Sequence, residues 1–240
     1  LLLPEFSRLQ PARYPPYNVA MNPMHDAVEI QTGDRPDAAV IWLHGLGADG
    51  HDFEPIVPEL RLAPPLSVRF VFPNAPVRPV TINGGMPMRA WYDIAELGGA
   101  RQDEAGIRAS ERIVAQLIER ERERGIAAAR IVLAGFSQGG AIALQAGLRY
   151  GEALAGLLAL STWLPLHTTL EAERSAANAR VPIFYAHGVY DDMVGIERAR
   201  ASRTLLEALG YPLQWREYPM GHAVCPEEIA DLGAWLESVL

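Results

Sequence analysis

The sequence predicts an α/β fold, a mainly parallel central sheet with helices on both faces, and three observations predict it. From residue 25 onward, short apolar runs alternate with longer segments of helical period. The runs are apolar at consecutive positions, as strands buried on both sides must be. No linker, internal repeat or low-complexity tract interrupts the region, so it reads as one domain spanning 25–240.

The elements follow in order. Ala38-Ala39-Val40-Ile41-Trp42-Leu43 is the first buried strand, and 67–72 is a second, ended by Pro73. Residues 106–125 have helical period. Ile107, Ile113, Leu117 and Ile118 lie on the apolar side, and the 119–124 run of Glu and Arg forms a solvated face. A strand at 131–134 leads into a helix of small residues at 138–150. Further strands are expected at 157–160 and 181–185, then a helix at 196–209 with Gly210 beyond its end. An alternating late strand at 214–218 and an amphipathic helix at 226–240 close the chain. One stretch breaks the alternation. Residues 77–102 are long, contain Gly and Pro, and carry Met86, Met88, Trp91 and Tyr92, which is the signature of a functional loop.

Residues 1–24 stand apart. They are rich in Pro, Arg and Tyr, show no period, and lack the basic start and apolar run of a signal peptide. They read as a leader or cloning-derived extension, with Met21 and Met24 as candidate native starts.

Composition excludes several function classes. The formal net charge of -8 gives no basic face for nucleic acid and no polybasic patch for an anionic membrane. No apolar run is long enough to span a bilayer, so membrane insertion is not expected. The chain has no lysine, which removes Schiff-base chemistry, a Ser-Lys dyad and a P-loop lysine. Cys225 is the single cysteine, so there is no intramolecular disulfide and no cysteine cluster for a metal; a reducing cytoplasm is the expected compartment. Beside a candidate catalytic histidine, Cys225 reads as a small apolar residue. The histidines lack H-E-x-x-H spacing, and neither metal nor cofactor is expected.

Gly135-Phe136-Ser137-Gln138-Gly139 fits G-x-S-x-G, with a strand before it and a helix of small residues after it. That context turns the chain sharply and lifts a serine hydroxyl above the sheet as a nucleophile. A hydroxyl needs a base. In the α/β-hydrolase order the acid follows the serine and the histidine comes last. Of His167, His187 and His222, only His222 lies between the late strand and the last helix, where this fold presents its base. His187 ends a strand before Gly188 and reads as a turn former; His167 reads as a surface residue. The acid belongs after the 181–185 strand, where Asp191 and Asp192 both stand. Asp93 precedes the serine and is excluded by order.

An oxyanion hole needs two N–H donors. The amide of Gln138 follows the nucleophile, and His44-Gly45-Leu46-Gly47 follows an early strand, so the amides of Leu46 and Gln138 are the candidates. His44 reads as a structural hydrogen-bonder. Met86, Trp91, Tyr92 and Trp163 are candidates to line an acyl site, Trp163 because it follows a strand end.

Five segments together resemble the carboxylesterase/phospholipase family, which includes acyl-protein thioesterases and small bacterial carboxylesterases. They are Leu43-His44-Gly45-Leu46-Gly47, Arg89-Ala90-Trp91-Tyr92-Asp93, Gly135-Phe136-Ser137-Gln138-Gly139-Gly140, His187-Gly188 with Asp191 and Val194, and Gly221-His222. The resemblance implies an α/β-hydrolase fold without a separate lid domain. It also implies Asp191, four positions after His187, as the acid. The implied activity is a serine carboxylesterase on short- to medium-chain esters, acting on a small-molecule ester, with a homodimer as one expected form. The alternatives are an acyl-protein thioesterase or lysophospholipase on longer chains and, more remotely, a non-catalytic binding protein of the same fold.

Overall fold

A computed structural model describes residues 26–96 and 102–240. The expected N-terminal extension lies outside them, as does part of the 77–102 stretch. In chain order the elements are β1 (Ala27–Gln31), β2 (Ala38–Leu43), β3 (Val68–Pro73), β4 (Val77–Val80), β5 (Met86–Arg89), α1 (Glu104–Glu123), β6 (Ile131–Phe136) and α2 (Gln138–Arg149). Then come β7 (Gly156–Leu160), α3 (His167–Glu173), β8 (Ile183–Gly188), α4 (Ile196–Ala208), β9 (Leu213–Tyr218) and α5 (Pro226–Val239).

Seven strands form one sheet in the order β1-β3-β2-β6-β7-β8-β9, antiparallel only at the β1–β3 edge. Each central strand feeds two cores, because successive side chains point to opposite faces. On β2, Ala39, Ile41 and Leu43 belong to the core covered by α1, α2 and α4, while Ala38, Val40 and Trp42 belong to the core covered by residues 53–60 and α5. On β8, Ile183 and Tyr185 face the first layer, and Phe184 and Ala186 the second. Two covered faces are why these strands read as unbroken apolar runs.

Three elements escape the sequence pattern. β1 is a half-exposed edge strand with no apolar run. Within 77–102, the chain folds β4 against β5 as a separate two-stranded hairpin, with Pro79 opposite Pro87. Proline is tolerated there because the pair has free edges. α3 is a seven-residue helix where no element was expected, and it begins at His167. α1 starts two residues earlier than expected, because the Asp103 carboxylate caps it by accepting the Gly106 N–H at 2.9 Å. No described helix is long and apolar enough to cross a membrane.

One buried carboxyl group makes stability pH-dependent. Glu228 in the first turn of α5 is wholly buried, and neither carboxylate oxygen meets a hydrogen-bond partner in good geometry among the described residues. Burial, reinforced by the Asp231 carboxylate, raises its carboxyl to about 8. The folded state therefore holds this proton more tightly than the unfolded chain. That contribution is complete below the ordinary carboxyl range and is lost as pH rises through about 8. Thermal unfolding of the parent should show Tm falling between about pH 5 and about pH 8, and Glu228→Gln should flatten that slope. Equal slopes in parent and variant would show that Glu228 titrates normally.

Candidate active site

The winding of the sheet decides where the site lies. From β2 the chain adds β3 on one side, then crosses to place β6 on the other. Loops leaving the carboxyl ends of strands at such a switch point diverge and open a crevice. Residues 44–47 follow β2 and Ser137 follows β6, so both flank that point. Asp191 follows β8 and His222 follows β9 on the same edge of the parallel sheet.

Ser137 joins β6 directly to α2 with φ 54 and ψ −118, a backbone state that L-residues avoid. Such a conformation costs about 1–3 kcal/mol and persists only where the surroundings enforce it. Here its N–H donates to Leu160 O at 2.9 Å, while its carbonyl accepts from Thr162 Oγ1 at 2.6 Å and Ala141 N at 3.1 Å. Close packing completes the constraint. A Cβ on Gly139 would lie 2.2 Å from Leu43 O and 2.5 Å from His44 O, so only glycine lets α2 abut the end of β2. A Cβ on Gly45 would come within 3.6 Å of the Ser137 Cβ, which puts the 44–47 loop against the serine. The first N–H groups of a helix have no intrahelical partner, and that of Gln138 opens α2 beside Ser137.

Asp191 and His222 meet across two loops. Asp191 Oδ1 accepts the N–H groups of Val194 at 2.8 Å and Met193 at 3.0 Å; Oδ2 accepts from His222 Nδ1 at 2.7 Å. The aspartate side chain is fully buried and the His222 side chain is 17% exposed, so part of the imidazole still reaches solvent. Phe136, next to the serine, packs on that ring with centroids 4.7 Å apart. The loops can meet because Gly188 has no side chain: a Cβ there would lie 2.3 Å from Gly221 O. Asp192 is exposed.

A second set of polar groups braces the serine turn. Gln138 is wholly buried; its side-chain oxygen accepts the Trp91 N–H and its amide donates to Tyr92 O, both at 2.8 Å. The Trp91 indole donates to His44 O at 2.9 Å. His44 donates through Nδ1 to Gly45 O at 2.7 Å and accepts the Ala75 N–H on Nε2 at 3.0 Å. Burial lowers its affinity for a second proton, in keeping with a neutral ring. The Trp-Tyr-Asp segment thus ties the 44–47 loop to α2. Asp93 serves the hairpin, accepting the Thr81 N–H at 2.7 Å.

The four side chains expected to line an acyl site fall in different surroundings. Trp91 is wholly buried, with its indole N–H committed to the His44 backbone carbonyl. Tyr92 is 3% exposed and its hydroxyl is buried without a partner among the described residues. Trp163 is 5% exposed, with the Arg198 guanidinium stacked 4.1 Å from its ring centre. Met86 is 61% exposed on β5. Thr162 and the side chain of Gln138 were not legible as site supports, because nothing in a lone Thr or Gln encodes a bond to a distant backbone. Among the described residues, no group of three or more His, Cys, Asp or Glu is placed to hold a metal.

A family description, Phospholipase/Carboxylesterase, matches residues 25–240. Acyl-protein thioesterase 1 of Gibberella zeae is 41% identical over 213 residues, covering 85% of this chain and 91% of that protein. A protein of Oryza sativa subsp. japonica named "Probable carboxylesterase" is 36% identical over 210 residues, covering 84% and 77%. The crystal structure of Zea mays acyl-protein thioesterase 2 superposes with a TM-score of 0.78 at 29% identity, covering 88% of this chain and 97% of that one. These three relatives are fungal and plant proteins. With the match running through the sheet and every segment of the site, the chain belongs to the phospholipase/carboxylesterase family and is a hydrolase.

Proposed function

We propose that the chain is a serine acyl hydrolase that cleaves thioesters and esters through an acyl-Ser137 intermediate. The observation that carries this reading is the 2.7 Å hydrogen bond from His222 Nδ1 to the buried Asp191 carboxylate, on the loops facing the strained Ser137 turn. Asp191 holds the Nδ1–H tautomer, leaving His222 Nε2 bare to take the Ser137 proton. Ser137 Oγ attacks the acyl carbonyl, and the Leu46 and Gln138 amides receive the oxyanion. His222 returns the proton to an alcohol leaving group; a thiol leaves more readily, since its ordinary pKa is near about 8.5. Water, deprotonated by His222, then releases the acid.

An acyl-protein thioesterase is the first reading of the substrate, because the 41% identical fungal relatives carry that name. A short- to medium-chain carboxylesterase is the second, favoured by the name of the rice relative. Hydrolysis of p-nitrophenyl esters from acetate to palmitate, run beside an S-palmitoylated peptide, separates them. Ser137-dependent release from the peptide, with ester activity rising toward long chains, supports the first. Activity peaking on acetate or butyrate with an inert peptide supports the second. No Ser137-dependent turnover of any of them would overturn the enzyme mechanism.

A further inference from the structure

We infer that His187 is a positioning residue of the acyl-transfer site: its neutral imidazole fixes the 191–194 loop so that Asp191 presents Oδ2 to His222. The inference rests on the roles proposed for Ser137, Asp191 and His222.

The argument follows the protons. His187 is the next-to-last residue of β8 and is wholly buried. Its Nε2 lies 2.7 Å from Val194 O, and a carbonyl only accepts, so Nε2 carries the hydrogen. Its Nδ1 is buried without a partner among the described residues. A proton there would be a buried donor with nothing to meet, which is costly, so Nδ1 stays bare. The charged groups around the ring are Asp191 on its own loop, His222 on the loop after β9, and Glu217 on β9. The two carboxylates favour a second proton; burial, the largest influence, and His222 oppose it, and the ring is held below the ordinary imidazole range. His187 is thus a neutral donor, although its Nε2 lies only 3.3 Å from Asp191 Oδ2.

The hydrogen bonds then form a chain of command. His187 holds the Val194 carbonyl, and the N–H of the same residue holds Asp191 Oδ1. Met193 N–H fills the rest of Oδ1. With Oδ1 committed, Oδ2 is left for His222. A histidine that merely shaped the turn at Gly188 would have no need to reach Val194, seven residues on, or to bring an N–H beside Oδ2.

Glutamine and asparagine at position 187 test this in the full chain. Gln carries its amide N–H the same number of bonds from the backbone as Nε2; Asn ends one atom short. His187→Asn is expected to lower kcat by about 10- to 100-fold, the size of one hydrogen bond to a charged system, and His187→Gln by no more than about 3-fold. KM should stay within about twofold, because the loss concerns the transition state. Rates are expressed per site titrated with a fluorophosphonate, which corrects for any poorly folded Asn variant. In an Asp191→Asn background the Gln-to-Asn difference should shrink below about threefold, since His187 acts through Asp191. Equal kcat for the Gln and Asn variants, a loss confined to KM, or an undiminished loss in the Asp191→Asn background would each overturn the inference. A parent without Ser137-dependent activity would instead overturn the roles beneath it, a result visible before any position-187 variant is made.

Discussion

Ser137→Ala should lower turnover of every accepted ester or thioester by at least about 10⁴-fold, while the protein stays folded. The loss is large because, in this mechanism, the hydroxyl is the bond-forming atom. Ser137→Gly should abolish activity equally but shift stability the other way. At φ 54 and ψ −118 the serine Cβ is strained, and alanine keeps that strain. Glycine removes it. Relief of about 1–3 kcal/mol outweighs the roughly 0.5–1 kcal/mol of extra chain entropy that glycine brings to the unfolded state. A net gain of about 1 kcal/mol raises Tm by about 2–4 °C in a chain of this size. Thermal unfolding of parent, Ala and Gly variants measures it. A Gly variant no more stable than Ala would show that the turn stores no strain, and an Ala variant with parental turnover would remove Ser137 from the mechanism.

The contrast between elements that were legible and those that were not has a physical basis. The central strands announce themselves because both faces are buried; β1 does not, since only part of it is covered and it lies at an antiparallel edge. The hairpin β4–β5 was hidden by Pro79 and Pro87, residues that argue against strands except where no neighbour needs their N–H. The G-x-S-x-G turn was legible because the collisions that Gly139 avoids are with backbone, and only glycine can avoid them. Asp191 and Asp192 were not separable by their place after β8 alone. What separates them is burial and the loop's own N–H groups, which depend on where residues 193 and 194 turn. The bracing contact of Trp91 was illegible for a related reason. A large aromatic in an irregular segment suggests a ligand surface, yet its indole N–H was needed to hold His44 O, a contact across 47 residues that no local pattern encodes.

Asp191→Asn should lower kcat by about 10⁴-fold with little change in Tm, and the reason lies in how the amide must sit. Two backbone N–H groups, from Met193 and Val194, point at Oδ1. An Asn NH2 group cannot accept them, so the Asn carbonyl takes that place and the NH2 turns to His222. His222 Nδ1, which donates to the carboxylate in the parent, must then accept from the amide. Its proton moves to Nε2, the nitrogen that has to take the proton from Ser137. The ring is held in place but in the wrong tautomer, and without a negative partner for the imidazolium it must become. Truncation to alanine would be a poorer test, because it strips two buried N–H groups of their acceptor and destabilises the loop as well. Asp192→Asn is the matched control: exposed, one residue away and of the same chemistry, it should leave kcat within about twofold. Steady-state kinetics on one activated ester, with rates per titrated serine, decides between them. If Asp192→Asn carried the loss and Asp191→Asn did not, the hydrogen bond from His222 would have no part in catalysis, and the acid would have to be sought on the exposed side of the same loop.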